Sequence, residues 1–276
     1  MSARKRVDLD TVFYEFPAEG VSLLTLNRPD SGNGVVPELV GDLQAALDDL
    51  EGDPEVRALV LTGAGRQFCA GADLEAMQAY LRDVQPVTHE PFNARVLYPV
   101  TQRLVASRLP IVAAVNGAAT AGGLDFAMAC DIRIASTRAK LGETYIKLGL
   151  PPGNGGAYFL PRLVGSGMAA ELFLTGDVVD AARALEIGLV NRVVEPEDLI
   201  EEAVALAARI ARNPRRAAEA TKQALRASWG QDLQTAITSG FWAVAALQHT
   251  EDVREGVAAF LEKREPRYNL PPGERS

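Results

Sequence analysis

Two short turns of glycine and alanine, each placed after a β-rich run, constrain this chain more than any other feature. They occupy residues 69–73 and 121–123, about fifty residues apart, and a helix is predicted after each. Small side chains let a ligand oxygen approach the backbone, and a helix start presents free N–H groups to an anion. Two such turns that meet at one oxygen would form an oxyanion hole. From spacing alone, packing turns remain the favoured interpretation, because glycine-rich turns are common.

The predicted elements alternate between strand and helix over the first two thirds of the chain. Apolar and β-branched runs predict strands at residues 21–26, 57–62, 111–115 and 131–135. Helical spacing of apolar residues predicts helices that begin near residues 37 and 74 and others that cover residues 96–109 and 124–129. Residues 85–92, with two prolines and a histidine, are predicted as a loop. The alternation predicts an α/β core.

After residue 165 the pattern is helical. Helices are predicted at residues 168–174, 181–186, 199–212, 216–229 and 253–262. We expect this final third to cover the core or to pack on another subunit.

Composition narrows the class of protein. The 276 residues are enough for one large core, and the net charge of -8 disfavours a nucleic-acid surface. Cys69 and Cys130 lie among small apolar residues and are predicted to be reduced core residues. No run has the length and apolarity of a membrane helix, and the N-terminal residues lack the apolar stretch of a signal peptide. We therefore expect a soluble, cytoplasmic protein that binds neither nucleic acid nor membranes.

Several common chemistries lack their residues. The two histidines, His89 and His249, lie outside any acidic or glycine-rich cluster and are predicted to be solvated or on a helix surface. The sequence has no metal-ligand motif, no Gly-x-Ser-x-Gly nucleophile turn and no phosphate-binding loop, so we expect no metal site. The sequence therefore favours a reaction that uses backbone dipoles and one or two acids.

Longer motifs follow one another along nearly the whole chain. They are Phe68-Cys-Ala-Gly-Ala-Asp-Leu74, Val115-Asn-Gly117, Gly122-Gly-Leu-Asp125, Ala129-Cys-Asp-Ile-Arg133, Leu148-Gly-Leu-Pro-Pro-Gly-Asn-Gly-Gly156, Leu160-Pro-Arg-Leu-Val-Gly165, Leu174-Thr-Gly176, Gly188-Leu-Val-Asn191 and residues 251–266. In order and spacing they resemble the crotonase (enoyl-CoA hydratase/isomerase) superfamily. The resemblance implies an α/β fold with a crotonase-like ββα spiral core and a C-terminal helical region. It places the core and its acyl-CoA site in residues 1–195, and a helical oligomerisation region in residues 196–276.

The resemblance also implies how an acyl-CoA thioester would bind. The backbone N–H groups of Ala72 and Gly122 match the oxyanion hole that grips the thioester carbonyl. Ala70 matches a position whose backbone meets the CoA moiety, and Arg28 lies in an Asn-Arg-Pro turn near its nucleotide end. Coenzyme A is then part of the substrate, so we expect no separate cofactor.

Phe260 and Lys263 match C-terminal positions that contact the CoA nucleotide, often from a neighbouring subunit. Proteins of this family form trimers, often paired into hexamers, so the resemblance implies a homotrimer or hexamer. Taken as residues alone, a core aromatic and a solvated lysine are nearly as good an interpretation.

The catalytic positions depart from the family pattern. Hydratases of this family use two glutamates to hold water and move a proton. The first position is Asp125, one methylene shorter and thus with roughly 1.5 Å less reach. The second is Tyr145, a phenol that can donate a hydrogen bond but is a poor base at neutral pH. Glu143 would share the side of Tyr145 on an extended segment, and we expect it to be structural or solvated.

Two further positions bear on the reaction. Some relatives carry an acid where this chain has Gly153, and the adjacent Asn154 can hydrogen-bond but cannot act as an acid or base.

Three functions follow from these residues. The first is an enoyl-CoA hydratase-like enzyme of fatty acid metabolism, in which Asp125 is the acid/base, Tyr145 orients water or substrate, and Ala72 and Gly122 stabilise an enolate. The second is an isomerase, decarboxylase or thioester hydrolase of the same fold, which needs the oxyanion hole but not two glutamates. The third is a non-catalytic acyl-CoA binder. We rank them in this order.

Overall fold

A computed structural model describes residues 4–83 and 91–270, and within them eleven strands form two sheets. The larger sheet contains β1 (Val7–Asp8), β2 (Val12–Ala18), β3 (Val21–Leu26), β4 (Ala58–Gly63), β6 (Ile111–Val115), β8 (Ile132–Ser136) and β11 (Arg192–Val194). The smaller sheet contains β5 (Gln67–Cys69), β7 (Ala118–Thr120), β9 (Lys140–Gly142) and β10 (Val178–Asp180).

The larger sheet has the order β1-β2-β3-β4-β6-β8-β11 and is parallel from β3 onward. Every residue of β3, β4 and β6 is buried, as expected for parallel strands that are covered on both faces. The predicted strands at residues 21–26 and 111–115 are confirmed, and those at 57–62 and 131–135 are displaced by one residue.

The helices separate and cover these strands. They are α1 (Pro37–Gly52), α2 (Leu74–Asp83), α3 (Phe92–Ala106), α4 (Gly122–Ala129), α5 (Gly156–Val164), α6 (Ser166–Thr175), α7 (Ala181–Glu186), α8 (Leu199–Ala211), α9 (Arg215–Ser228), α10 (Leu233–Leu247) and α11 (Glu251–Glu262). Pro37 occupies the first turn of α1, and Leu39, Leu43, Leu47 and Leu50 are buried at helical spacing. Short 3₁₀ helices cover Pro29–Ser31 and Thr144–Leu148.

Two apolar cores lie on opposite faces of the larger sheet. The main core joins α1, α3 and α4 to one face and to the smaller sheet. The second core is formed where Leu199, Ala203, Ala207 and Ala211 of α8 pack on the other face. The architecture is therefore mixed α/β, as predicted. Although α8 belongs to the same packed unit as the sheet, a functional division at residue 195 stays a prediction.

Other parts of the chain differ from the predictions. Helix α10 was not predicted, and its large side chains Leu233, Phe241 and Trp242 are exposed. Of the loop predicted at residues 85–92, residues 85–90 lie outside the described part of the chain, and Phe92 already begins α3. His89 falls in the same gap, whereas His249 is exposed as predicted.

Both cysteines are free and buried, as predicted. In the described part of the chain, every helix is too short or too polar to cross a bilayer.

We predict that Gly123→Ala lowers the free energy of unfolding by about 2–3 kcal/mol, because overpacking here involves backbone atoms. A Cβ at this position would lie 1.9 Å from the carbonyl oxygen of Cys69, so α4 and β5 would have to separate. Urea denaturation measures the effect. Gly41→Ala is the matched control: nothing lies within 4 Å of its Cβ position in α1, and alanine should gain about 0.5–1 kcal/mol there. Equal stability of the two variants would contradict the close contact.

Candidate active site

The two glycine and alanine turns meet because β5 and β7 are parallel neighbours. Their register pairs Gln67 with Ala118 and Cys69 with Ala119. The carboxyl ends of parallel strands lie at the same edge of a sheet, so the turns that follow them lie side by side. A Cβ built on Gly71 would lie 3.0 Å from the backbone nitrogen of Gly122. The two backbones are therefore in contact.

Two backbone N–H groups are available at this contact. Gly122 is the first residue of α4, where helix geometry leaves the N–H without an internal partner. Within residues 4–83 and 91–270, neither this N–H nor that of Ala72 donates to an acceptor. These are the donors that the resemblance assigns to an oxyanion hole, and that assignment stays a prediction.

The residue before Gly122 is held in an unusual conformation. Ala121 has φ 46° and ψ -122°, a region that costs a non-glycine residue about 1–3 kcal/mol. Its N–H donates to the carbonyl of Gly142 at 2.9 Å, and its own carbonyl accepts the N–H of Leu124 at 2.9 Å. These bonds fix the direction in which α4 begins.

A cavity of about 550 Å³ opens beside the two turns. Ala70 and Ala72 line it from the first turn, Ala121 from the second, and Tyr145 from the 3₁₀ helix. Asn93 and Leu97 of α3 form part of the same wall. The predicted positions Ala70, Ala72 and Tyr145 thus share one cavity.

Behind Tyr145 lie three more polar side chains that are almost completely buried. Asp125 of α4 is 0% exposed, Glu143 is 1% exposed and Asn154 is 2% exposed; with Tyr145 they form what we call the acid cluster. The Tyr145 hydroxyl donates to Asp125 Oδ2 at 2.6 Å. Among the described residues, Asp125 Oδ1, both Glu143 oxygens and the Asn154 amide have no hydrogen-bond partner of normal geometry.

Burial dominates the electrostatics of the acid cluster. It raises the pKa of Asp125 to about 7, although the Tyr145, Glu143 and Asn154 side chains oppose part of the rise. Burial also raises the pKa of Glu143 to about 10, and the charge of Asp125 adds to that rise. The same two causes raise the pKa of Tyr145, so the phenol stays protonated. Of the three groups, Asp125 is therefore the one whose pKa lies nearest to neutral pH.

Arg28 has a structural contact that sequence analysis did not predict. Its Nη1 bonds to Asp73 Oδ2 at 2.9 Å and also donates to the carbonyl of Gly34. Asp73 in turn accepts the N–H groups of Ala76 and Glu75 at the start of α2. Burial opposes ionisation, but these bonds hold the pKa of Asp73 below its usual value. Arg28 thus ties the first turn in place, and its role near a nucleotide stays a prediction.

Phe260 and Lys263 lie at the end of α11, and neither lines the cavity within one chain. Phe260 is 83% exposed, so it is not a core aromatic. Their assignment to CoA binding stays a prediction that requires a neighbouring subunit.

Glu143 was expected to be structural or solvated, and its burial excludes the solvated alternative. The segment is not extended as assumed, because the chain turns into the 3₁₀ helix at Thr144. This turn directs both Glu143 and Tyr145 towards Asp125. Local sequence holds no signal for it, since the contact depends on α4 and on the turn before α5.

Comparison with known proteins identifies the family. The sequence pattern of the enoyl-CoA hydratase/isomerase family matches residues 17–270. The chain is 38% identical over 259 residues to the short-chain-enoyl-CoA hydratase of Clostridium acetobutylicum, which covers 94% of this chain and 97% of the relative. It is also 38% identical over 251 residues to the crotonyl-CoA hydratase of Syntrophomonas wolfei, covering 91% and 95%.

A solved structure supports the same conclusion. The enoyl-CoA hydratase from Bacillus anthracis superimposes with a TM-score of 0.87 at 34% identity, covering 94% of this chain and 99% of that one. The chain belongs to the enoyl-CoA hydratase/isomerase family and has the crotonase fold, which confirms the predicted superfamily and fold class.

We predict that Asp125→Asn gains stability relative to the wild type as the pH rises. The folded carboxyl has a pKa of about 7 and an unfolded one about 3.9. Between these values the folded state binds more protons, so the unfolding free energy of the wild type falls with increasing pH. The difference between the proteins should grow from about pH 5 to about pH 7, by at most about 1.4 kcal/mol per pH unit.

Urea denaturation at several pH values measures this difference. Asp42→Asn, at a carboxyl that accepts hydrogen bonds from Thr11 far from the cavity, is the control. A constant difference between Asp125→Asn and the wild type would mean that Asp125 is not a buried, uncompensated acid.

Proposed function

We propose that this protein is an enoyl-CoA hydratase-type enzyme that adds water to the double bond of a short-chain enoyl-CoA thioester. Its family membership and the names of its relatives, a short-chain-enoyl-CoA hydratase and a crotonyl-CoA hydratase, support the substrate class. The observation that carries the proposal is the 2.6 Å hydrogen bond between Tyr145, at the cavity wall, and Asp125 behind it. It connects the cavity to a buried acid whose pKa lies near neutrality.

In the proposed reaction the N–H groups of Ala72 and Gly122 hold the thioester oxygen. They stabilise the negative charge that develops there when the enolate forms. Tyr145 lies between Asp125 and the cavity, so its hydroxyl gives its proton to the Asp125 carboxylate and accepts one from water, while the water oxygen bonds to the β carbon. Asp125 then returns a proton to the α carbon by the same route, so the atoms of one water are added and the enzyme is regenerated. The neutral Tyr145 hydroxyl orients the carboxylate and the reactants.

A second candidate is an isomerase, and Tyr145 is the observation that favours it. With a phenol in place of the second glutamate, the site has one exchangeable acid at neutral pH. Moving a double bond requires one group that removes a proton from one carbon and returns it to another, and it needs no water.

We also propose that the protein assembles as a homotrimer or hexamer. Exposed apolar side chains on α10 and α11, including Phe241, Trp242 and Leu261, support an interface there. In the assembly Phe260 and Lys263 of one subunit would contact the CoA nucleotide of a neighbour.

A cytoplasmic location and a role in fatty acid metabolism complete the proposal. The reduced cysteines support the location, and the named relatives support the metabolic role.

The proposal is tested with a panel of enoyl-, dienoyl- and malonyl-type CoA esters, with binding followed by calorimetry and products by mass spectrometry. Formation of a 3-hydroxyacyl-CoA from a short-chain enoyl-CoA would support the hydratase. Double-bond migration without a gain of water would support the isomerase. Loss of carbon dioxide or free CoA would indicate a decarboxylase or hydrolase, and binding without turnover would indicate a non-catalytic binder.

We predict that Asp125→Asn lowers turnover about 100-fold or more, since an amide cannot accept and return a proton. Binding of the CoA ester should remain within about twofold of the wild type, because Asp125 lies behind the cavity wall. Steady-state kinetics and calorimetry measure the two effects. Full activity of this variant would show that Asp125 is not the acid/base.

We predict that Tyr145→Phe lowers turnover about 100-fold while the protein still folds, because phenylalanine cannot pass a proton between the cavity and Asp125. The variant leaves Asp125 Oδ2 without its donor, which should cost about 1–3 kcal/mol of stability. Tyr14→Phe is a matched control, because Tyr14 is also buried and donates to a carboxylate, Asp49, away from the cavity. It should lose stability without losing turnover. Equal rates for the wild type and Tyr145→Phe would make Tyr145 a packing residue.

A further inference from the structure

The carboxyl groups of Asp125 and Glu143 converge on one glycine. A Cβ built on Gly156 would lie 2.6 Å from Asp125 Oδ1 and 3.0 Å from Glu143 Oε1. Any side chain at residue 156 would therefore clash with both oxygens. These oxygens also have no other hydrogen-bond partner among the described residues. The glycine permits two buried acids to lie next to one another.

In the described part of the chain, the surroundings of this acid pair provide no positive charge. From the 3₁₀ helix it is faced by the neutral Tyr145 hydroxyl, and from the turn before α5 by the uncharged Asn154. Cys69 of β5 interacts electrostatically with Tyr145. Burial raises the pKa of the Cys69 thiol to about 12, so the thiol is neutral as well. Among the described residues, no lysine, arginine or histidine influences either carboxyl.

The buried arginine at the C-terminal end of α4 is used elsewhere. Arg133 donates to the backbone carbonyls of Ala127, Cys130 and Leu189, at the opposite end of α4 from the first turn that carries Asp125. It therefore cannot balance the acid pair. Two adjacent carboxylates without a cation repel each other and lose their hydration. A proton shared between the two carboxyl groups removes one of the two charges.

We propose that Glu143 is a positioning residue that keeps a proton and donates it in a hydrogen bond to Asp125. It thereby limits the pair to one negative charge and holds Asp125 ready for proton exchange. The proposal rests on the function proposed above. In it, Glu143 is an acid that lies behind Tyr145, the residue at the family's second glutamate position.

The proton count of the reaction fits this arrangement. Before the reaction the pair holds one proton, on Glu143, and Asp125 is a carboxylate. When Asp125 takes a proton from water, the pair holds two protons and is neutral. When that proton passes to the α carbon, the pair returns to its first state. Glu143 gains and loses nothing over the cycle, and no other reactant is required.

The test compares Glu143→Leu with Glu143→Gln through the pH dependence of kcat/KM, which reports ionisation of the free enzyme. The wild type should lose activity below a midpoint near pH 7. Leucine removes the donor but keeps the site buried, so the midpoint should rise by about one pH unit and kcat should fall about tenfold. Glutamine keeps an N–H donor of the same size and should bring the midpoint back to within about 0.3 pH unit.

An unchanged midpoint in Glu143→Leu would overturn the proposal, since Glu143 would then not act on Asp125. A midpoint in Glu143→Gln as high as in Glu143→Leu would also overturn it, because the donor would be irrelevant.

A spectroscopic measurement separates this proposal from the proposed function. Infrared difference spectra with ¹³C-labelled glutamate, taken at about pH 8, should show the C=O stretch of a protonated acid that Glu143→Gln abolishes. Glu55→Gln, at an exposed carboxylate, should leave the band in place. The band without any turnover of CoA esters would support the shared proton and reject the hydratase. Turnover without the band would support the hydratase and reject the shared proton.

Discussion

The parallel pairing of β5 with β7 is the interaction on which the site depends. Their backbones and the segments beside them approach so closely that side chains are excluded at both ends. A Cβ at Gly117 would lie 1.9 Å from the carbonyl oxygen of Arg66, and one at Gly123 would lie 1.9 Å from that of Cys69. Because the pairing fixes where both strands end, it also fixes the two turns relative to each other. A shift of register would separate their N–H groups.

The buried acids are held in place by apolar packing. Every residue of α4 is buried, and Asp125 is carried by this helix into a region where burial alone would disfavour its charge. The packing that surrounds Phe126 and Met128 leaves α4 little freedom to move away. Burial of the apolar residues stabilises the fold. It therefore offsets the unfavourable free energy of burying the polar cluster. A buried acid with a shifted pKa is typical of sites that transfer protons.

The sequence predicted the buried strands well. It predicted poorly which residues lie buried behind the cavity wall. The strands at residues 21–26 and 111–115 could be located because strands covered on both faces give continuous apolar runs. Helix α10 could not, because its exposed Phe241 and Trp242 do not face the core of their own chain. Motif resemblance identified Asp125 and Tyr145, which lie within hydrogen-bond distance. It could not locate Glu143, since no local pattern reports a contact that depends on Gly156.

The order of groups from the cavity inward has an electrostatic consequence. An enolate places negative charge on the thioester oxygen, and a carboxylate close to it would raise the energy of that charge. In this chain a neutral phenol lies at the cavity wall, and the ionisable acids lie behind it. Repulsion weakens with distance, and an acid pair that retains one proton presents a single charge instead of two. In the proposed function, the exchange of a glutamate for Tyr145 would thus remove charge from the cavity wall while keeping an acid directly behind it.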